Sequence, residues 1–238
     1  MKRTVVLLLA CMLVFGCSTP TVAPAAKKLP IYSVEREDNK VAISFDAAWG
    51  TEFSRELLDI LDEYDIKTTF FVVKFWVETN PEMAREIINR GHELGNHSAT
   101  HPEVGNLSAT AIEEEIMSTH EVIKQATGFE PILFRPPFGH YTEHMLEVIE
   151  SLGYYVIQWD IDSLDWKERG VEDIVLRVTQ RAGPGSIVLF HNNAKYVAQA
   201  LPHILDNFRE RNLDVVPISQ IIYHEDYLID HQGRQHKK

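Results

Sequence analysis

The chain has 238 residues, 45% of them hydrophobic, and a formal net charge of −12 at pH 7. This length allows one large domain with a substantial hydrophobic core. The acidity argues against a nucleic-acid partner, because contacts to phosphates require clustered lysines and arginines.

The first 17 residues have the pattern of an export signal. Lys2 and Arg3 precede an apolar run, Val5–Phe15, that is short for a membrane span. The residues before Cys17 resemble a lipoprotein cleavage site, in which that cysteine would carry lipid; an uncleaved N-terminal anchor is the alternative. Cys11 and Cys17 are the only cysteines, so the folded domain has no disulfide. We therefore expect an exported protein at the cell surface or envelope, touching the membrane only through this anchor.

The remainder divides into a linker (18–39), a domain (40–225) and a polar tail (226–238), which we expect to fray from Asp230 to Lys238. Within the domain, apolar runs typical of buried strands alternate with segments of helical periodicity. The predicted strands are Val41–Phe45, Thr68–Val73, a weaker His92–Gly95, Ile132–Phe134, Tyr154–Trp159, Ile187–Phe190 and Val215–Ile218. The predicted helices are Phe53–Tyr64, Pro81–Asn89, Ala109–Thr127, Glu143–Ser151, Val171–Arg181 and Ala198–Arg211.

This alternation predicts an α/β fold in which helices cover a parallel sheet. About seven such units fit a closed or nearly closed (β/α)-barrel, with an open doubly wound sheet as the alternative. No glycine-rich phosphate loop follows a predicted strand, so a dinucleotide fold has little support.

Chemically active side chains follow five of the predicted strands. They are Asp46, His97 with His101, Arg135, Asp165 and His191. Because active sites of parallel barrels lie at the carboxyl ends of the strands, we expect these side chains to meet on one rim.

His97 and His101 are a candidate metal-binding pair. Residues four apart can face one point, and imidazole nitrogen is a good ligand for zinc and its neighbours. A catalytic site usually adds a third protein ligand and an open position. The zinc-peptidase pattern His-Glu-x-x-His is absent, because Ser98 stands at the glutamate position.

The other side chains suit hydrolysis of a small acyl group from nitrogen or oxygen. A metal would polarise the carbonyl and activate water. Asp46 would take the proton from that water while Arg135 keeps it ionised. His191, oriented and kept charged by Asp165, would protonate the departing amine.

Taken in order, these motifs resemble the polysaccharide deacetylases with a NodB homology domain, carbohydrate esterase family four. The matching segments are Ser44-Phe45-Asp46, His97-x-x-x-His101, Arg135-Pro136-Pro137-Phe138-Gly139, Asp165-Trp166 and Leu189-Phe190-His191. The resemblance runs from about Val41 to Ile222. It implies a distorted (β/α)-barrel and a metal-dependent hydrolase that removes N-acetyl groups from GlcNAc or MurNAc polymers, such as peptidoglycan or chitin-like glycans.

The resemblance also implies a role for each site residue. The implied groups are catalytic (Asp46, His191, Arg135, Asp165), metal-binding (His97, His101) and substrate-binding (Phe138, Trp166, Leu189). The metal would be zinc, with cobalt or manganese as alternatives. The backbone N–H of Phe138 would stabilise the oxyanion, and Trp166 with Leu189 would surround the acetyl methyl.

The chain departs from the family pattern at Ala47, where the family has a second aspartate that binds the metal. The metal could bind weakly through two histidines and water, Asp46 could turn to the metal, or the site could bind sugar without cutting it. The last outcome is the alternative function, a non-catalytic glycan-binding module. This departure, with Trp49-Gly50 just downstream, resembles the branch of the family that is tied to sporulation or cell-wall maturation in Gram-positive bacteria. We expect Trp49 and Trp159 to be packing or rim residues rather than sugar platforms.

Overall fold

A computed structural model describes residues 27–238. The predicted export signal and the first part of the linker lie outside these residues. No helix within the described range has the length and apolar character needed to cross a membrane.

Eleven strands and seven helices make up the described fold. The strands are β1 (Ser33–Val34), β2 (Lys40–Ala47), β3 (Thr69–Val72), β4 (Glu93–Asn96), β5 (Leu133–Phe134), β6 (Tyr155–Val156), β7 (Ile161–Asp162), β8 (Ile187–His191), β9 (Asp214–Val215), β10 (Tyr227–Ile229) and β11 (Arg234–Lys237). The helices are α1 (Ser54–Glu63), α2 (Lys74–Thr79), α3 (Pro81–Asn89), α4 (Ala109–Thr127), α5 (Glu143–Ser151), α6 (Val171–Thr179) and α7 (Val197–Glu210).

The central sheet is parallel and has the order β6-β5-β4-β3-β2-β8-β7, with β9 pairing to the start of β2. It curls into a distorted barrel surrounded by helices, which confirms the predicted fold class. The segment around Ile31 lies across the opening: the Ile31 N–H donates to the Val156 carbonyl (2.9 Å), and its carbonyl accepts from Gln158 N–H (2.7 Å). Further along, the Val34 N–H donates to the Gly185 carbonyl (2.9 Å), so this segment links β6 to the start of β8.

The core explains why β2 reads as a continuous apolar run. Strand β2 lies between β3 and β8 and is covered on both faces. The Phe45 ring stacks on Phe70 (4.9 Å between centroids) and Phe190 (5.6 Å), one aromatic side chain from each strand. All three are fully buried, and this packing fixes the register that brings the carboxyl ends of the strands together.

Several helices begin and end where local signals predict. Helices α3, α4 and α5 have the predicted bounds. Ser108 caps α4 by accepting a hydrogen bond from the Ala111 N–H (3.4 Å), and Gly128 ends it with φ of 76°. Helix α2 and strand β7 were not predicted, because six and two residues are too few to show a periodicity.

The expectation of a frayed polar tail is wrong. Strands β10 and β11 form a second sheet with β1, a strand inside the segment predicted as linker. Buried Gln235 exchanges two hydrogen bonds with the Tyr223 backbone (2.7 and 2.8 Å), and His236 lies between Glu35 (3.0 Å) and Asp230 (2.9 Å). These polar contacts hold the sheet, and composition alone cannot reveal them.

Candidate active site

The polar side chains that follow the strands converge at one end of the barrel, as predicted. Seven of the nine predicted site residues line a single pocket of about 450 Å³. They are Asp46, His97, His101, Phe138, Trp166, Leu189 and His191. The other two, Arg135 and Asp165, are fully buried and contact pocket residues by hydrogen bonds.

A buried ion pair fixes Asp46 at the end of β2. The Arg135 Nη1 donates to Asp46 Oδ1 (2.8 Å), its Nη2 donates to the Gln158 carbonyl (3.2 Å), and the guanidinium lies 4.1 Å from the Phe71 ring centroid. Burial on its own would raise the pKa of Asp46. The charge and hydrogen bond of Arg135, together with the nearby His97 and His191, outweigh it, and the net pKa is lowered. Asp46 is therefore ionised at neutral pH, with Oδ2 left free by this ion pair.

The two histidines present neutral rings to the pocket. His97 Nδ1 lies 2.7 Å from the Arg135 carbonyl, which can only accept, so Nδ1 carries the proton. The unprotonated Nε2 lies 3.6 Å from Asp46 Oδ2, and the His101 ring is 5.0 Å from the His97 ring. Burial lowers the pKa of both histidines, that of His101 to about 4. Neutral imidazole is the form that binds metal.

Glu115 holds the loop that carries the histidine pair. This α4 carboxylate accepts hydrogen bonds from the Ala99 N–H (2.7 Å), the Thr100 N–H (2.9 Å) and the Thr100 hydroxyl (2.8 Å). Ser98 and His101 have φ of 72° and 60°, which is unfavourable for residues with a side chain. The three hydrogen bonds to Glu115 offset this strain. Glu115 was not predicted, because contacts across 15 and 16 residues leave no local motif.

Asp165 orients His191 through both of its oxygens. Oδ1 lies 2.7 Å from His191 Nδ1, and Oδ2 accepts from the His191 backbone N–H (2.7 Å). The Trp166 N–H donates to Oδ1 (2.8 Å), which fixes the carboxylate. Burial would lower the pKa of His191, but the hydrogen bond and charge of Asp165 outweigh it and the net pKa is raised. The ring therefore keeps its positive charge to a higher pH.

The predicted substrate-binding residues lie at different depths. Leu189 is buried in the pocket, whereas Phe138 and Trp166 are exposed at its edge. Phe138 adopts a left-handed conformation with φ of 59°. Trp159, which also lines the pocket, lies 5.6 Å from the Arg135 guanidinium, so it packs as expected.

The metal-ligand set is smaller than the usual three. Among residues 27–238, no group of three or more His, Cys, Asp and Glu side chains is arranged to hold a metal ion. Ala47 is fully buried and has no donor atom. A histidine whose Nδ1–H is fixed by a carbonyl is nevertheless typical of metal ligation. The residues present therefore fit a divalent cation held by His97 and His101, with Asp46 Oδ2 nearby.

The chain is similar over most of its length to known proteins. The sequence model of polysaccharide deacetylases matches residues 33–157. A peptidoglycan-N-acetylglucosamine deacetylase of Bacillus cereus is 31% identical over 196 residues, which cover 80% of this chain and 92% of the relative. The chain belongs to the polysaccharide deacetylase family. The predicted family and enzyme class are confirmed at that level.

Other relatives of this chain include an uncharacterized protein and a pseudoenzyme. YlxY of Bacillus subtilis, an uncharacterized protein, is 28% identical; the match covers 81% of this chain and 60% of YlxY. The structure of a BA3943 mutant, a CE4 family pseudoenzyme with restored enzymatic activity, superposes with a TM-score of 0.78 at 32% identity, covering 81% of this chain and 71% of that one. Wild-type BA3943 comes from Bacillus anthracis. The family therefore includes both deacetylases and a pseudoenzyme close to this chain.

Proposed function

We propose that this chain removes N-acetyl groups from a peptidoglycan-type glycan of GlcNAc and MurNAc with the help of a divalent cation. The observation that carries the proposal is one pocket that holds both the Asp46 carboxylate, paired with Arg135, and the His191 ring, paired with Asp165; a base and an acid are the two groups that amide hydrolysis requires. Relatives named as peptidoglycan deacetylases support the substrate class. An exported, envelope-anchored location suits a cell-wall polymer.

Asp46 would act as the general base. Arg135 engages Oδ1, so the free Oδ2 would take the proton from the attacking water. His97 and His101 would hold the cation, zinc first and cobalt or manganese as alternatives. When bound, the cation would polarise the acetyl carbonyl.

His191 would act as the general acid. Its Nδ1 proton stays on the hydrogen bond to Asp165, so the proton it gives is the one on Nε2. The water oxygen adds to the acetyl carbon, the carbon–nitrogen bond breaks, and the amine leaves with the His191 proton as acetate is released. The Phe138 N–H would stabilise the oxyanion, and Trp166 with Leu189 would surround the methyl group.

A glycan-binding module without catalysis is the second candidate, favoured by Ala47 and the BA3943 pseudoenzyme. Acetate release from GlcNAc oligomers and muropeptides, measured with Zn²⁺ or Co²⁺ and with a chelator, separates the two. Cation-dependent release supports the deacetylase. Oligosaccharide binding that ignores the chelator, with no acetate from either substrate, supports the module.

Asp165→Asn is expected to move the alkaline limb of the kcat/KM profile to lower pH. Because Asp165 raises the pKa of His191, the protonated acid is present below that pKa and is lost as pH rises through it. The neutral amide of Asn removes the negative charge that raises the pKa of His191, so activity on the alkaline side falls by about tenfold or more. The profile of Asp160→Asn serves as control, since the Asp160 carboxylate also accepts hydrogen bonds, from Ser186 and Ile187, but lies outside the pocket. An unshifted alkaline limb in Asp165→Asn contradicts the assigned role.

A further inference from the structure

The rim of the pocket is unusually rich in exposed aromatic rings. Six large hydrophobic side chains are exposed within residues 27–238, and three of them line this pocket. They are Trp49 (57% exposed), Phe138 (69%) and Trp166 (54%). Phe138 and Trp166 already have roles at the acetyl group in the proposed function. Trp49 has none, and exposed apolar surface beside a pocket often marks a ligand contact.

Two buried side chains hold the turn that carries Trp49 by hydrogen bonds. The next residue, Gly50, has φ of 63°, and its carbonyl accepts hydrogen bonds from Trp76 Nε1 (2.7 Å) and Asn192 Nδ2 (2.8 Å). Both donors are 1% exposed, and they come from two separate parts of the fold, α2 and the loop after β8. Two buried anchors on one carbonyl fix the backbone beside the indole, which reduces the entropy lost when a ligand stacks on it.

Neighbouring rings fix the direction of the indole. Trp49 meets His101 edge to face (5.0 Å between centroids, 63°) and leans against Phe75 on α2 (6.4 Å, 47°). His101 meets Phe138 on another side (4.6 Å, 78°). The aromatic surface therefore continues from the acetyl pocket across His101 to Trp49, while more than half of the Trp49 side chain stays open to solvent.

We propose that Trp49 forms a second sugar subsite, in which its indole stacks on the C–H face of the pyranose next to the one whose acetyl group enters the pocket. The stacked face of a neutral sugar is apolar, whereas its hydroxyls stay in water, which suits a fixed and half-exposed indole. A GlcNAc unit carries no charge that the acidic chain would repel. The site thus takes oligosaccharides in preference to single amino sugars. This subsite rests on the proposed function only in requiring an N-acetylated glycan.

Calorimetry with N-acetylglucosamine and with its tetramer tests the subsite without any turnover. The background is His191→Ala, measured with a chelator and again with Zn²⁺. Trp49→Ala is expected to weaken tetramer binding by about tenfold and to leave monomer binding unchanged, and Trp49→Phe should keep most of the affinity. Leu176→Ala, which truncates an exposed apolar side chain outside the pocket, is the matched control and should change neither.

The outcomes separate the subsite from the proposed function. If Trp49→Ala weakens monomer and tetramer binding equally, the indole acts only on the pocket through His101. If tetramer binding is unchanged, the indole contacts no sugar. Either result overturns the subsite. If the parent protein binds neither ligand and wild type releases no acetate, the glycan function itself fails and the subsite with it. Zn²⁺ affinity of Trp49→Ala, measured in parallel, reports any displacement of His101.

Discussion

Asp46→Asn is expected to reduce kcat/KM for acetate release by about 10²–10⁴-fold, the range that general-base catalysis contributes. The amide has nearly the shape of the carboxylate, and its oxygen can still accept from Arg135, but it cannot take a proton from water. The loss should therefore appear in kcat, while tetramer binding by calorimetry stays near that of the unmutated protein. Asp160→Asn serves as the control for loss of a hydrogen-bonded carboxylate outside the pocket.

If Asp46→Asn keeps kcat/KM for acetate release within a few-fold of wild type, Asp46 is not the general base. In that case water or another carboxylate takes the proton. Asp162, which lines the pocket with Oδ1 bonded to the Leu164 N–H (2.8 Å), is the next residue to substitute.

Arg135→Met is expected to lower the free energy of unfolding by about 3–5 kcal/mol, because it leaves the buried Asp46 carboxylate without its partner. It also removes the largest of the charges that lower the pKa of Asp46, so this pKa should rise and activity near neutral pH should fall. Urea unfolding followed by circular dichroism measures the stability change.

A double variant distinguishes the unpaired charge from lost packing. If the buried charge is the cause, adding Asp46→Asn to Arg135→Met should recover part of the lost stability. If the loss comes from the guanidinium packing on Phe71 and Trp159, the second substitution will recover nothing. A single variant that unfolds within about 1 kcal/mol of wild type would show that the ion pair contributes little.

The sequence predicts the fold and the site surroundings well because two simple signals agree. Buried strands such as β2 read as continuous apolar runs, and polar residues such as Asp46 and His191 mark where these runs end. Since parallel strands all end on one rim, knowing the strand ends was enough to group residues that lie far apart in the chain. The family motifs then added residues, such as Phe138, whose side-chain chemistry gives no signal.

What the sequence could not predict depends on contacts across the fold. Glu115 holds the histidine loop from α4, and Gln235 ties β11 to the Tyr223 backbone. Neither residue has a spacing or composition that distinguishes it from a surface residue. The role of Trp49 was also not predictable, because only the structure shows that its indole is exposed and that the backbone beside it is held by hydrogen bonds.

Ala47 is the residue on which the function of the chain depends. The buried methyl group offers no donor atom, so in the proposed function only two histidines and one oxygen of Asp46 are left to hold a cation. Ala47→Asp adds a carboxylate at this position and should tighten Zn²⁺ or Co²⁺ binding. The BA3943 mutant with restored activity shows that a pseudoenzyme similar in sequence and structure to this chain can be returned to catalysis by mutation.

The most direct test is acetate release by wild type and by Ala47→Asp, measured side by side on GlcNAc oligomers and muropeptides over a titration of Zn²⁺ or Co²⁺. Our account predicts that wild type releases acetate at high cation concentration and stops when a chelator is added, and that Ala47→Asp reaches the same activity at lower cation concentration. Release by Ala47→Asp alone, with none from wild type at any cation concentration, would contradict it and make the natural chain a pseudoenzyme.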